Sequence, residues 1–440
     1  MRLAHKVFVG SLLAVFVGIV LHAPLSVSLG ALWPEYSLYI KAWKEVLLVV
    51  AAVAMVVILI KGKKFEILKH PAVLLVAVYA ALHLLLLAVF WQGWQPSIAG
   101  LMIDLRYLLF FVLVFVAIKL YPGLRTVFLK AFVAGALIVL LFALMQVFVL
   151  PHDVLKYLGY STETITAYLT VDKNYDFVRI NSTLRGPNPL GAYAVIVLSL
   201  LAATMVVGKK VKRTRRDLAL VAVLSAGGVV ALWASYSRSA LGAALVALGV
   251  VSLAVWGKRW SRKVWTVVGL GALVLVFAVF ALRDSYLVSN VILHEDPVGG
   301  SAISSNEGHV DSLLDGSQRA LGQPLGAGVG STGSASLLGE DGIIIENQYL
   351  YIAHEVGWLG LGLFVAVFVA VLTRLWQRRQ DWLALGVFAS GVGMAVIGLV
   401  LPVWVDDTVS IIWWGLAAVC LAEAYNGTKR KKNDRLQKTN

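Results

Sequence analysis

The chain has 440 residues, of which 60% are Ala, Val, Ile, Leu, Met, Phe, Trp, Tyr or Cys and only 14% are charged, too little polar surface to wrap a soluble globule of this size. Its formal net charge is +14, but no soluble face exists on which basic residues could interleave with aromatics, so the excess is no nucleic-acid footprint. Composition places the chain in lipid, where backbone amides must be bonded within their own segment and a crossing helix needs roughly 20 mostly apolar residues.

Runs of that kind recur along the whole sequence and predict an all-α integral membrane protein of about twelve spans. They lie at 7–21, 43–60, 71–90, 98–118, 126–149, 188–207, 218–235, 239–256, 264–282, 347–373, 382–402 and 408–424. The first mimics a signal peptide, with Arg2 and Lys6 before an apolar stretch that ends near Ala23. Its retention as a span is the expectation.

Short loops rich in Lys and Arg stay on the cytoplasmic side. Here alternate loops are basic: Arg2 and Lys6, then 61–69, 119–130, 209–216, 258–263 and 374–379, and finally the tail at 429–440. Each fits an even number of crossings, which puts both termini in the cytoplasm and leaves 1–428 as one polytopic domain. On that side the acids are Glu66, Asp217, Asp381, Glu423 and Asp434. The positive charge is therefore a topological signal.

In the fourth span Asp104 and Arg106, two residues apart on a helix, point in different directions and form no ready pair. They read as structural. The first long outward loop, 151–187, ends in Arg179-Ile-Asn-Ser-Thr-Leu-Arg185-Gly-Pro187-Asn188-Pro189. The prolines make a rigid extended approach to the next span, with Asn188 placed to cap its first turn. Two arginines beside a helix N-terminus suit an anion, because guanidinium forks and free amides both favour phosphate oxygens; anchoring to lipid headgroups explains them equally well. Arg238, in Ser237-Arg238-Ser239, occupies a tight outward turn between two spans, where a lone Arg is costly unless it meets an anion or lines a wet cavity.

The second long outward loop, 283–346, is rich in Gly and Ser and contains His309. Its stretches 308–321 and 337–345 alternate polar and apolar residues as short interfacial helices do. Gly328-Val-Gly330-Ser-Thr-Gly333 matches a dinucleotide fingerprint, but that fingerprint works only between a strand and a helix; here a flexible turn or lid is expected. Glu346 and Asn347 begin the tenth span, where a carboxylate suits the positive end of the helix dipole. His354 and Glu355, deeper in that span, read as interhelical contacts. Cys420, the single cysteine, reads as packing.

These residues resemble the O-antigen ligase and polymerase family of bacterial surface-glycan enzymes. Three motifs carry the resemblance in order: Arg179 followed by Pro187-Asn188 and a small-residue helix; Ser237-Arg238-Ser-Ala-Leu-Gly242; and Pro324-Leu-Gly326-Ala-Gly328-Val-Gly330 in a large loop closing at Asn347-Gln-Tyr349-Leu350 and Glu355-Val-Gly357-Trp-Leu-Gly360. The resemblance implies a GT-C-like architecture and inverting transfer of a glycan from undecaprenyl diphosphate to a sugar hydroxyl at the outer face of the cytoplasmic membrane. Arg238, Arg179 and Arg185 would hold the donor diphosphate, supported by Asn188 and Asn347, with no metal or other cofactor. Many ligases have His-Asn where this chain has Glu346-Asn347, and Gly-Arg where it has Gly308-His309. The base is then Glu346 first and His309 second, since a carboxyl in a partly desolvated site can titrate near neutrality. The missing ligase-type histidine tilts the expectation toward a polymerase. The expected partners are the lipid-linked donor, a glycan or cell-surface acceptor and the bilayer. A transporter or flippase is the alternative, disfavoured because the polar residues concentrate at the outer surface and not at the midplane; a membrane scaffold is the third.

Overall fold

The computed structural model describes residues 2–171, 173–207, 214–257, 305–340 and 342–422, with a few isolated positions between 266 and 288. The described chain is predominantly helical. In order the helices are α1 (Arg2–Gly18), α2 (His22–Leu32), α3 (Ser37–Lys41), α4 (Trp43–Gly62), α5 (Pro71–Val89), α6 (Trp94–Leu120), α7 (Leu124–Phe148), α8 (Pro187–Val207), α9 (Arg215–Ala234), α10 (Arg238–Trp256), α11 (Ser305–Gly322), α12 (Gly333–Ser336), α13 (Gln348–Gln377), α14 (Trp382–Ile397) and α15 (Asp407–Ala422).

Among the described residues nine stretches are long and apolar enough to cross a membrane, with α1 and α2 forming one run of 31 residues; α14 and α15 are apolar but only 16 residues each. Every predicted span except 264–282 falls on one of these helices. That span and the tail at 429–440 lie outside the described residues, isolated positions of the former apart. The chain is thus a helical, multi-pass membrane protein.

Local chemistry sets the helix starts. Pro71 opens α5 with a φ already suited to a helix and no amide to satisfy. Thr214 and Asp217 close a reciprocal capping box at α9, and Asp381 caps α14 by accepting from Leu383 N–H.

Apolar stripes then divide into those that pack inward and those that face out. On α4, Val46, Val49, Val53, Val56 and Ile60 are exposed at helical spacing, a surface that water would reject and acyl chains accept. In contrast α15 is buried along its length from Thr408 to Ala422. It packs on α6, while α8 packs on α9, α10 and α14. Trp404, Trp413 and Trp414 meet Phe368 and Tyr107 at the centre, with Trp413 and Trp414 edge to face at 5.0 Å.

Two faces result. Basic helix ends gather on one: Arg125 at the start of α7 meets Asp381 at 3.0 Å, His70 packs tilted against Phe115 near the end of α6, and Arg378 donates to the Cys420 carbonyl near the end of α15. The long loops gather on the other, referred to below as the loop face.

The loop segments depart from expectation in two places. Residues 308–321 do fall within a helix, α11, but 337–345 form turns and extended chain where described. The all-α description also needs an amendment, because Leu169–Val171 (β1) and Asn174–Arg179 (β2) pair as an antiparallel hairpin with Leu169 opposite Arg179. Short β-rich runs such as Tyr175-Asp-Phe-Val178 can pair with a neighbour across a two- or three-residue turn, and helical periodicity does not register them.

Candidate functional site

Strand β2 delivers Arg179 to the loop face and the chain then plugs inward. Ser182 adopts a left-handed φ of 51°, donating from its amide to Gln146 Oε1 at 2.8 Å and from its hydroxyl to the Val139 carbonyl. Ile180 N–H donates to the Ala234 carbonyl at the end of α9. This anchors Arg179 against the turn between α9 and α10. Its Nε donates to the Ser235 carbonyl at 2.9 Å and its Nη2 to Asn188 Oδ1 at 2.7 Å.

Arg238 is the first residue of α10 and follows that same turn, in which Tyr236 has a φ of 46°. Gly191 allows the close approach: a Cβ there would sit 2.7 Å from Ala240 Cβ and 2.9 Å from Ser235 Oγ. Arg179, Asn188 and the turn bearing Arg238 therefore form one group. Asn188 does not cap α8 as expected. Its side-chain oxygen is taken by Arg179, a charged donor that competes better than a backbone amide.

Arg185 is exposed and borders two cavities. One, of ≈ 320 Å³, lies over Pro187, Asn188 and Pro189 against Leu401, Pro402 and Val403. The other, of ≈ 310 Å³, is lined by His22, Lys41, Lys44, Arg106, Asp406 and Asp407 among others. Lys44 and Arg106 are only 4% and 7% exposed, so each needs counter-charge. Asp407 supplies it, contacting Arg106 and lying 2.9 Å from Lys44 Nζ and 3.2 Å from His22 Nε2. Glu45 adds contacts at 3.2 Å to Lys44 and 3.5 Å to Arg106, and Arg106 Nη2 donates to the Val405 carbonyl at 2.6 Å. Asp406 accepts from Val409 N–H at 2.9 Å; burial pushes its carboxyl above the usual aspartate range, against the opposing pull of that amide and of Arg185.

Glu346 and Asn347 stand on a different element. Asn347 caps α13 by accepting from the amides of Tyr349 and Leu350, and donates to the Leu399 carbonyl at 2.6 Å. Its position is that of a structural cap holding the 398–404 segment, which walls the ≈ 320 Å³ cavity. Glu346 accepts no part in that cap; its amide donates to Ser312 Oγ on α11 at 2.9 Å, and it lines neither of the two Arg185 cavities. His309 lies on α11, its side chain outside the described residues.

The glycine-rich stretch is no flexible lid. Gly326, Gly328, Gly330 and Gly333 all have positive φ, and Val329 is fully buried. The stretch docks into a break in α13 at Val356 and Gly357. Ala327 N–H donates to the His354 carbonyl at 2.6 Å, Gly328 N–H to that of Glu355 at 3.0 Å, and Trp358 N–H to that of Pro324 at 3.0 Å, so the loop re-satisfies the backbone groups that the break releases.

Glu355 lies at this junction, its Oε1 accepting from Gly330 N–H at 3.0 Å and Thr332 N–H at 3.4 Å. Asp104 is an electrostatic neighbour of Glu355, and His83 Nε2 lies 3.5 Å from Asp104 Oδ2. All three are buried. Asp104 and Arg106 thus serve separate clusters. A broken helix and buried ionisable side chains lie inside the protein.

Sequence reasoning missed the His22–Lys44–Glu45–Asp407 network. The available signal was that Lys44, Glu45, Asp406 and Asp407 all sit at the loop-face ends of apolar runs. Among the described residues no group of three His, Cys, Asp or Glu side chains is arranged to hold a metal ion. No protein-family model matches the chain, and comparison with curated proteins finds no match.

Proposed function

We propose that the chain is a membrane glycosyltransferase of the O-antigen ligase and polymerase kind. On this reading it transfers a glycan from undecaprenyl diphosphate to a sugar hydroxyl, with inversion and without a metal. The loop face is then the outer face of the cytoplasmic membrane, both termini are cytoplasmic, and 264–282 completes a twelve-span, GT-C-like bundle.

One observation carries the reading: Arg179, Asn188 and the turn bearing Arg238 form a single group at a helix N-terminus, with Arg185 at the rim of two adjoining cavities. Guanidinium groups offset the charge that develops on a departing diphosphate. The acceptor oxygen bonds to the anomeric carbon, the bond to diphosphate breaks, and the acceptor proton passes to a base. Glu346 is assigned that role, with His309 as the alternative.

The decisive experiment uses the purified full chain with a lipid-linked donor. Arg238→Ala abolishes transfer without lowering membrane abundance; full-length product from this variant rejects the diphosphate role. Glu346→Gln stops turnover while donor still binds, and unchanged turnover removes Glu346 as base. Deleting the gene and sizing the glycans separates the two branches: single repeat units accumulate for a polymerase, whereas long chains stranded on carrier mark a ligase.

The break in α13 beside buried Glu355 and Asp104 favours a second reading, a transporter or flippase, since such proteins place broken helices and charges inside the bundle. Movement of labelled carrier lipid across vesicles bearing the chain, without glycan transfer, selects it.

A further inference from the structure

Apart from the two cavities bordered by Arg185, the loop face holds a larger one of ≈ 570 Å³, within the range of about 300–1,000 Å³ typical of small-molecule sites. Two features of its lining are unusual. Trp91 and Trp94, 52% and 72% exposed, border it as a pair with ring centroids 6.2 Å apart. The lining also carries amide and hydroxyl groups, among them Gln95, Gln323 and Ser331.

The floor carries His354, which is 1% exposed. Neither ring nitrogen has a hydrogen-bond partner of acceptable geometry among the described residues, although the Ser331 backbone runs alongside. A buried imidazole left so forfeits free energy unless something in the cavity bonds to it. The lining is close to electroneutral: Arg319, which donates to Asp315 at 2.7 Å, and Glu340 offset each other. Phosphate has little to hold it here. A ligand with flat C–H faces and polar hydroxyls matches a lining that combines exposed indole rings with amide and hydroxyl groups.

We propose that this cavity binds an uncharged sugar ring, stacked on Trp91 and Trp94 with one hydroxyl directed to His354. The 330–336 segment is a wall common to this cavity and the cationic one, since Gly330, Ser331 and Ser336 border the first and Ser334 the second. On the transferase reading, on which this role rests, the cavity is the acceptor subsite. Sugar binding itself does not depend on that reading.

The test is saturation-transfer NMR on the full chain in lipid nanodiscs, with the methyl glycosides of glucose, galactose, mannose, rhamnose, N-acetylglucosamine, N-acetylgalactosamine and glucuronic acid as probes. At least one uncharged glycoside receives saturation on its C–H protons, the signal is lost in Trp94→Ala, and Trp94→Phe retains it. Trp94 is exposed enough that both variants fold, which unchanged melting verifies. Transfer to none of the panel, transfer to the glucuronide alone, or equal transfer in Trp94→Ala overturns the proposal. Sugar binding in a chain that never transfers glycan sinks the transferase reading and spares this site; donor-dependent transfer without sugar binding does the reverse.

Discussion

Arg179 Nη2 donates to Asn188 Oδ1 at 2.7 Å, joining the end of the hairpin to the first turn of α8. Hydrogen bonds to charged groups contribute about 1.5–3 kcal/mol. Asn188→Leu removes this acceptor, while the Ser235 carbonyl still accepts from Nε. Thermal unfolding in nanodiscs should show a loss of that size, with Asn188→Asp retaining or exceeding the parent stability because its oxygen is charged. Equal melting of parent and Asn188→Leu would mean that water replaces the bond at no cost.

Asp407 serves Lys44, Arg106 and His22 together. Asp407→Leu leaves two buried cations with Glu45 as the remaining carboxylate in contact with both, and breaking such a pair costs about 3–5 kcal/mol. Adding Arg106→Met should recover part of the loss, since the partners act as one unit. Denaturant unfolding of the single and double variants measures both, and a double variant weaker than the sum of the singles refutes the coupling.

Gly330 in the glycine-rich loop and Gly362 in α13 predict opposite signs for Gly→Ala. Gly330 has a φ of +86° and an added Cβ would collide with the Pro96 carbonyl oxygen, whereas at Gly362 nothing lies within 4 Å. Gly330→Ala should therefore destabilise by more than about 1–2 kcal/mol, the cost of the left-handed backbone alone. Gly362→Ala, within α13, should stabilise by about 0.5–1 kcal/mol. Melting temperatures of the two variants decide it.

Asp406 provides a pH signature. Because burial raises its carboxyl in the folded chain, the folded state holds this proton more tightly than the unfolded one, so the stabilising contribution is complete below the ordinary aspartate value of about 4. It declines as pH rises from there through the raised folded value. Asp406→Asn keeps a capping oxygen for Val409 N–H and removes the titration. Melting curves from pH 4 upward should fall less steeply for the variant, and parallel slopes would discount Asp406 as the titrating group.

Apolar run length was enough to find the helices, because in lipid a segment's own sequence decides whether its amides can be satisfied. The arginine group was legible for a similar local reason: Arg179 and Asn188 are nine residues apart, across a proline-marked bend. Long-range chemistry left no such trace. Lys44, Arg106 and Asp407 meet from three helices, and nothing in the periodicity of α4, α6 or α15 pairs them. Gly328 to Gly333 looked like a loose turn because glycine permits both looseness and close approach; the positive φ values and buried Val329 come from docking against α13, which only the tertiary structure supplies. The hairpin at 169–179 was hidden by its brevity.

The break in α13 also has a consequence for biosynthesis. The amide of Gly330, which donates to the Glu355 carboxyl group, is translated 25 residues ahead of it, so the donor for this buried side chain is already synthesised when the broken helix leaves the ribosome. Integration of α13 then becomes a docking event between two parts of one nascent chain, and damage to the glycine turn should first be seen as a helix that fails to settle in the bilayer.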